Sequence, residues 1–118
     1  MTELPPEDAK IVTLARGARL RAHAPHTAVA EGAAVRDTDG RTYAAATVEN
    51  ADPALTTSAL RGAVAAAASS GVRTFEAAAV VTEQPLSDAD LSVLREFGAG
   101  VPVLLAGPDG VVRETVTT

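Results

Sequence analysis

The feature that most constrains this chain is the run Thr74–Thr82, which contains Ala77-Ala78-Ala79-Val80-Val81 without a polar break. Such a continuous apolar stretch suits a β-strand covered on both faces. A strand of that kind needs helices above it and below it. The preceding residues offer the first of them. Pro5 and Pro6 suit a helix start, Glu7 and Asp8 sit in its first turn, and Ile11, Leu14, Ala15, Ala18 and Ala22 recur at helical spacing. The pattern predicts a helix to about Ala24, closed by Pro25. Arg16, Arg19 and His23 lie on another face, and the arginines are expected at a solvated or intersubunit surface.

Ala28 to Arg36 and Arg41 to Val48 read as strands around Asp37-Thr38-Asp39-Gly40, whose Asp-Gly pair signals a hairpin. Glu49 to Leu55 reads as a loop, broken by Asn50, Asp52 and Pro53. Thr56 or Thr57 is expected to cap a second helix, rich in Ala from Ala59 to Ala68 and ended by Ser69, Ser70 and Gly71. Ser87, followed by Asp88 and Asp90, opens a third helix to Phe97, which Gly98 and Gly100 stop. Val101 to Ala106 is another buried strand, and Pro108-Asp109-Gly110 turns the chain into a last one, Val111 to Val116. The expected fold class is α/β. It is a three-layer α/β/α sandwich with a mixed central sheet, formed by residues 1–118 as a single domain.

Composition limits both the core and the partners. Alanine is the commonest residue, and the only aromatics are Tyr43, Phe75 and Phe97. A core of Ala, Val and Leu needs close backbone approach and gains less per residue from burial, so help from oligomerisation is expected. Ten basic against fifteen acidic residues give a net charge of −5. That balance argues against a nucleic-acid partner and against anionic membranes. With no cysteine there is no disulfide, no thiolate nucleophile and no cysteine-held metal. Met1 to Pro6 lacks the basic and apolar regions of a leader, and no apolar run approaches the roughly 18 residues of a membrane span. A cytoplasmic location is the default expectation.

Three stretches resemble the small homotetrameric cytidine deaminases. His23-Ala24-Pro25-His26-Thr27 with Gly32-Ala33-Ala34 is similar to that family's Y-x-P-Y-S…G-A-A segment. Thr47-Val48-Glu49-Asn50-Ala51 is similar to its N-V-E-N-A. Leu94-Arg95-Glu96-Phe97-Gly98 followed by Val101-Pro102-Val103-Leu104-Leu105 is similar to its L-x-E-F-G…P-V-x-L. The resemblance implies the three-layer fold, a tetramer, and a zinc-bound water that attacks the cytidine ring while a Glu outside the metal shell shuttles protons. It also implies a C-terminal segment reaching a neighbouring site, which is short in a sequence whose last residue is Thr118.

The chemistry departs from that pattern. The family's C-A-E segment corresponds to Ser58-Ala59-Leu60, and its P-C-x-x-C to Leu86-Ser87-Asp88-Ala89-Asp90. The former zinc-ligand positions are therefore Ser58, Ser87 and Asp90, and the former proton-shuttle position is Leu60. Two hydroxyls and one carboxylate offer at most one anionic donor, whereas zinc is normally held by thiolate or imidazole. Leu60 moves no proton. The expected catalytic set, metal set and cofactor are accordingly none. Of the substrate pocket, Val29 stands where the resemblance implies a stacking Phe, Thr47 where it implies an Asn, and Glu49 is kept for a ribose hydroxyl.

Each residue has a plainer reading. Glu49 can cap a loop or meet an arginine instead of a sugar. His23 and His26 are separated by Pro25 and suit a loop or interface better than a metal. Ser87 suits a helix N-cap with Asp88 and Asp90 as first-turn acids. Ser58 can cap likewise, and Arg61 needs an anion from Glu49, Asp52 or Asp90. Ala63 to Ala68 suits a close helix contact, between subunits or against the sheet. The resulting expectation is a catalytically inactive cytidine-deaminase-like protein, serving as a structural or protein-interaction unit in a homo-oligomer, dimer or tetramer, or with an unidentified protein partner. The alternatives are a metal-free module binding a nucleoside or other small ligand through Val29, Thr47 and Glu49, and, more remotely, a hydrolase with a rebuilt site.

Overall fold

The computed structural model describes residues 3–118. Met1 and Thr2, the start of the stretch weighed above as a leader, lie outside them. The elements in chain order are α1 (Pro6–Arg19), β1 (Gly32–Asp37), β2 (Thr42–Ala46), a 3-10 turn at Pro53–Leu55, α2 (Ala59–Ser69), β3 (Phe75–Val81), α3 (Asp88–Arg95), β4 (Pro102–Ala106) and β5 (Val112–Thr117). The sheet runs β2-β1-β3-β4-β5. β3 and β4 are parallel, joined by the crossover through α3, and the other neighbours are antiparallel. This is the α/β/α sandwich with a mixed sheet that the alternation of elements predicts.

The apolar run explains the layers. Ala77, Ala79 and Val81 of β3 pack with Ile11, Val12 and Ala15 of α1. Ala78 and Val80 point to the other face, against Leu60 and Val64 of α2 and Leu94 of α3. Small side chains let the layers close tightly, most visibly at Gly32. A Cβ there would stand 2.0 Å from the Ala15 carbonyl oxygen and 2.4 Å from the Arg19 nitrogen, so only glycine lets α1 cross β1 at this point. Arg36, buried beneath the start of α1, fixes that helix from below. Its Nη1 donates to the Glu7 carbonyl at 2.9 Å, and its Nη2 donates to Asp8 at 3.0 Å and Glu76 at 3.3 Å. Among the described residues, no helix is long and apolar enough to cross a membrane.

Several boundaries differ from expectation, β1 among them, which begins at Gly32 rather than Ala28, and the next two differences place the site. α1 ends at Arg19 rather than near Ala24. The nitrogens of Arg21 and Ala22 still donate to Ala18 and Arg19, but His23 leaves the helix to pair with another segment. Its nitrogen donates to the Thr47 carbonyl at 2.9 Å and its carbonyl accepts from Glu49 at 2.7 Å. The cap of α2 is Ser58, not Thr56 or Thr57. Thr57 exchanges backbone hydrogen bonds with Val48, and the Thr56 hydroxyl accepts from the Asn50 nitrogen. α3 also ends at Arg95, with Phe97 in the following turn, where its ring meets Phe75 edge-on at 5.5 Å.

Candidate functional site

The N-termini of α2 and α3 meet at one side of the sheet, and the sequence positions 58, 61, 87 and 90 meet with them. The Ser58 hydroxyl accepts from the Arg61 nitrogen, as an N-cap does, and donates to Asp90 Oδ1 at 2.8 Å. Arg61 Nε donates to the same hydroxyl at 3.0 Å and lies 3.3 Å from Asp90 Oδ1. Asp90 is thus the anion that Arg61 chooses among its three candidates. The Ser87 hydroxyl accepts from the Asp90 nitrogen at 3.1 Å and caps α3. Leu60, one residue into α2, is only 1% exposed and belongs to the core between the helices and the sheet.

A second cluster surrounds Glu49. Its carboxylate accepts from the backbone nitrogens of His26 at 2.6 Å and Thr27 at 3.1 Å, and from the Thr27 hydroxyl. These donors, the Thr27 hydroxyl foremost and then the two backbone N–H groups and the nearby His26 charge, hold the Glu49 carboxyl below the usual value, against the opposing effect of desolvation. Of the readings open for Glu49, the loop cap is the one its partners realise. Its neighbours His26, Thr27, Asn50, Ala51, Pro53 and Thr56 line a cleft of about 240 Å³.

Of the remaining pocket positions, Val29 touches the Glu49 cluster only through its backbone, and Thr47 lies outside both clusters. Val29 is exposed, and its nitrogen donates to the Thr27 hydroxyl at 3.1 Å. Thr47 is buried against Glu31, accepting from its nitrogen at 3.1 Å and donating to its carbonyl at 3.3 Å. The Arg16–Arg19 face is tied within the chain rather than free. Arg16 Nε donates to the Pro108 carbonyl, Arg19 Nε to that of Ala30, and Arg19 also lies 3.8 Å from Glu83. Thr27 is the participant that the residue reading did not single out. Its one signal is its place after His26 in the first matching stretch.

The family model described as Cytidine deaminase-like matches residues 4–110. This chain belongs to that family. It is 38% identical over 111 residues to a cytidine deaminase of Sporosarcina psychrophila, covering 90% of this chain and 82% of that protein. A cytidine deaminase structure from Burkholderia pseudomallei superposes with a TM-score of 0.82 at 30% identity, covering 100% of this chain and 92% of that one. One from Mycobacterium tuberculosis gives 0.74 at 29% identity, covering 85% and 84%.

The resemblance implies a zinc ion near positions 58, 87 and 90, and the side chains there do not fit one. The two hydroxyls are neutral and already accept hydrogen bonds, and the single carboxylate is matched by the Arg61 cation. Among the described residues, no three His, Cys, Asp or Glu side chains gather in a group that could hold a metal.

Proposed function

We propose that this chain is a catalytically inactive member of the cytidine deaminase-like family, a single domain over 1–118 that works in the cytoplasm as a structural or protein-interaction unit. The observation that carries this reading is the hydrogen-bonded set of Ser58, Arg61 and Asp90, with Leu60 in the core beside it. In the deaminase pattern positions 58, 87 and 90 supply metal ligands and position 60 a proton shuttle, and such groups contribute a large part of the rate. Here Ser58, Arg61 and Asp90 satisfy one another, and Leu60 carries no group that could move a proton. The test is ammonia release from cytidine and deoxycytidine. The expected result equals the buffer blank, and release above it would overturn the reading.

The same reading includes a homo-oligomer. Leu20 is 82% exposed, and Val48, Leu55 and Val111 are also large apolar side chains open to solvent. Ala65 and Ala66 present small side chains on the outer face of α2. Surfaces of this kind support association with further copies. Light scattering at micromolar concentration should give a multimer mass, and a monomer mass would exclude this part.

The cleft beside Glu49 favours a second reading, a metal-free nucleoside module. Its volume of about 240 Å³ is small beside the usual ligand pocket of about 300–1,000 Å³. The carboxylate it would use already accepts three hydrogen bonds from its own chain. A nucleoside that raised the unfolding midpoint by several degrees at saturating concentration would promote it.

A further inference from the structure

The disagreement between a zinc-type site and the side chains present has a positive content. We propose that Ser58, Arg61 and Asp90 form a metal-free clamp that joins the starts of α2 and α3 in place of an ion. The proposal rests on the reading above only in taking positions 58, 87 and 90 as the former ligand positions.

The two helices are separated in sequence by the whole of β3, so something must hold their ends together across the site. The Ser58 hydroxyl is the bridge, donating to Asp90 at 2.8 Å while accepting from Arg61 Nε at 3.0 Å. Arg61 adds the charge, 3.3 Å from the same carboxylate oxygen, and its Nη2 donates to the Thr56 carbonyl at 3.3 Å. Asp90 lies in the first turn of α3 and beside the first turn of α2, so the positive ends of both helix dipoles also favour its negative charge. One cation and one anion cancel. A divalent ion added to this set would meet the guanidinium and displace hydrogen bonds already made.

The partners are unequally buried. The Asp90 side chain is 10% exposed and that of Arg61 is 42% exposed. Removing Arg61 strands a carboxylate away from water, whereas removing the Asp90 charge leaves a guanidinium that can turn to solvent. The clamp therefore predicts an order of effects as well as their existence.

The experiment measures zinc content and thermal unfolding of the full chain and its variants. Wild-type protein exposed to excess zinc and passed through gel filtration should carry none, and its midpoint should be the same with and without EDTA. Arg61→Met should lower the midpoint by about 5 °C or more, and Asp90→Asn by less. The double variant should be no worse than Arg61→Met alone. Ser58→Ala and Arg61→Lys are milder variants that keep the test alive if Arg61→Met does not fold, and each should cost about 2–4 °C. Retention of about one zinc per chain, a midpoint lowered by EDTA, or mild variants within about 1 °C of wild type would overturn the clamp. Ammonia release would remove the inactive reading and leave these shifts standing. Absent shifts would remove the clamp and leave that reading standing.

Discussion

The helix junction at Ser58, Arg61 and Asp90 and the loop around Glu49 satisfy their carboxylates in different ways. At the junction, the Asp90 carboxylate is met by side chains, the Ser58 hydroxyl and the Arg61 guanidinium. At the loop, the chain folds back onto Glu49, with His26 and Thr27 as donors. The junction satisfies its carboxylate with side chains alone, and the loop does so mainly with its own backbone. A carboxylate in a family-like stretch is therefore weak evidence of a ligand site. A charge near the surface of a fold finds partners, and those partners decide its role.

The sharpest way to break the comparison is Leu60→Glu, which puts a second carboxylate beside the junction at a buried position. If the junction has become ordinary core, that carboxylate enters a fully packed site with no partner. The expected loss is about 3–5 kcal/mol, or failure to fold. Urea unfolding of the variant measures it. A loss under about 1 kcal/mol would mean that position 60 still opens onto a polar pocket.

How much of this was legible beforehand depends on how far apart the interacting residues lie. The run Thr74–Thr82 and the Asp-Gly turn at Asp39 and Gly40 are local signals, and the strand and hairpin stand where they point. The end of α1 was not local. Helical spacing continues to Ala22, but the backbone of His23 is taken by Thr47 and Glu49, more than twenty residues on. The same is true at the site. Ser58 and Ser87 are readable as caps because capping acts over three residues. That Arg61 would meet Asp90 rather than Glu49 or Asp52 needed the packing of α2 against α3. The place of Thr27 after His26 in a matching stretch does not reveal that its hydroxyl closes on Glu49, twenty-two residues on. The need for glycine at 32 likewise exists only once α1 lies across β1.

A gentler probe compares the two regions by acidity. The folded protein holds the Glu49 carboxyl below its ordinary value of 4.5, chiefly through the Thr27 hydroxyl. A depressed carboxyl contributes stability above its unfolded value and loses it as the pH falls through the lower, folded one. Wild type and Glu49→Gln should therefore differ in midpoint at neutral pH and converge below pH 4.5. Parallel curves across that range would mean that Glu49 is free in solution rather than held by its loop.

The smallest expected effect is at Ala28, the one non-glycine residue with positive φ among those described, at 61°. It follows directly on the two nitrogens that grip Glu49. A left-handed alanine costs about 1–2 kcal/mol, and glycine there gives back about 0.5–1 kcal/mol through its freer unfolded chain. Ala28→Gly should therefore stabilise by about 0.5 kcal/mol, or roughly 2 °C in midpoint. If the grip on Glu49 imposes the φ, the gain should shrink in a Glu49→Gln background, where the loop can relax. Equal gains in both backgrounds would place the cause of the strain elsewhere, in the bond from the Ala28 nitrogen to the Ala24 carbonyl.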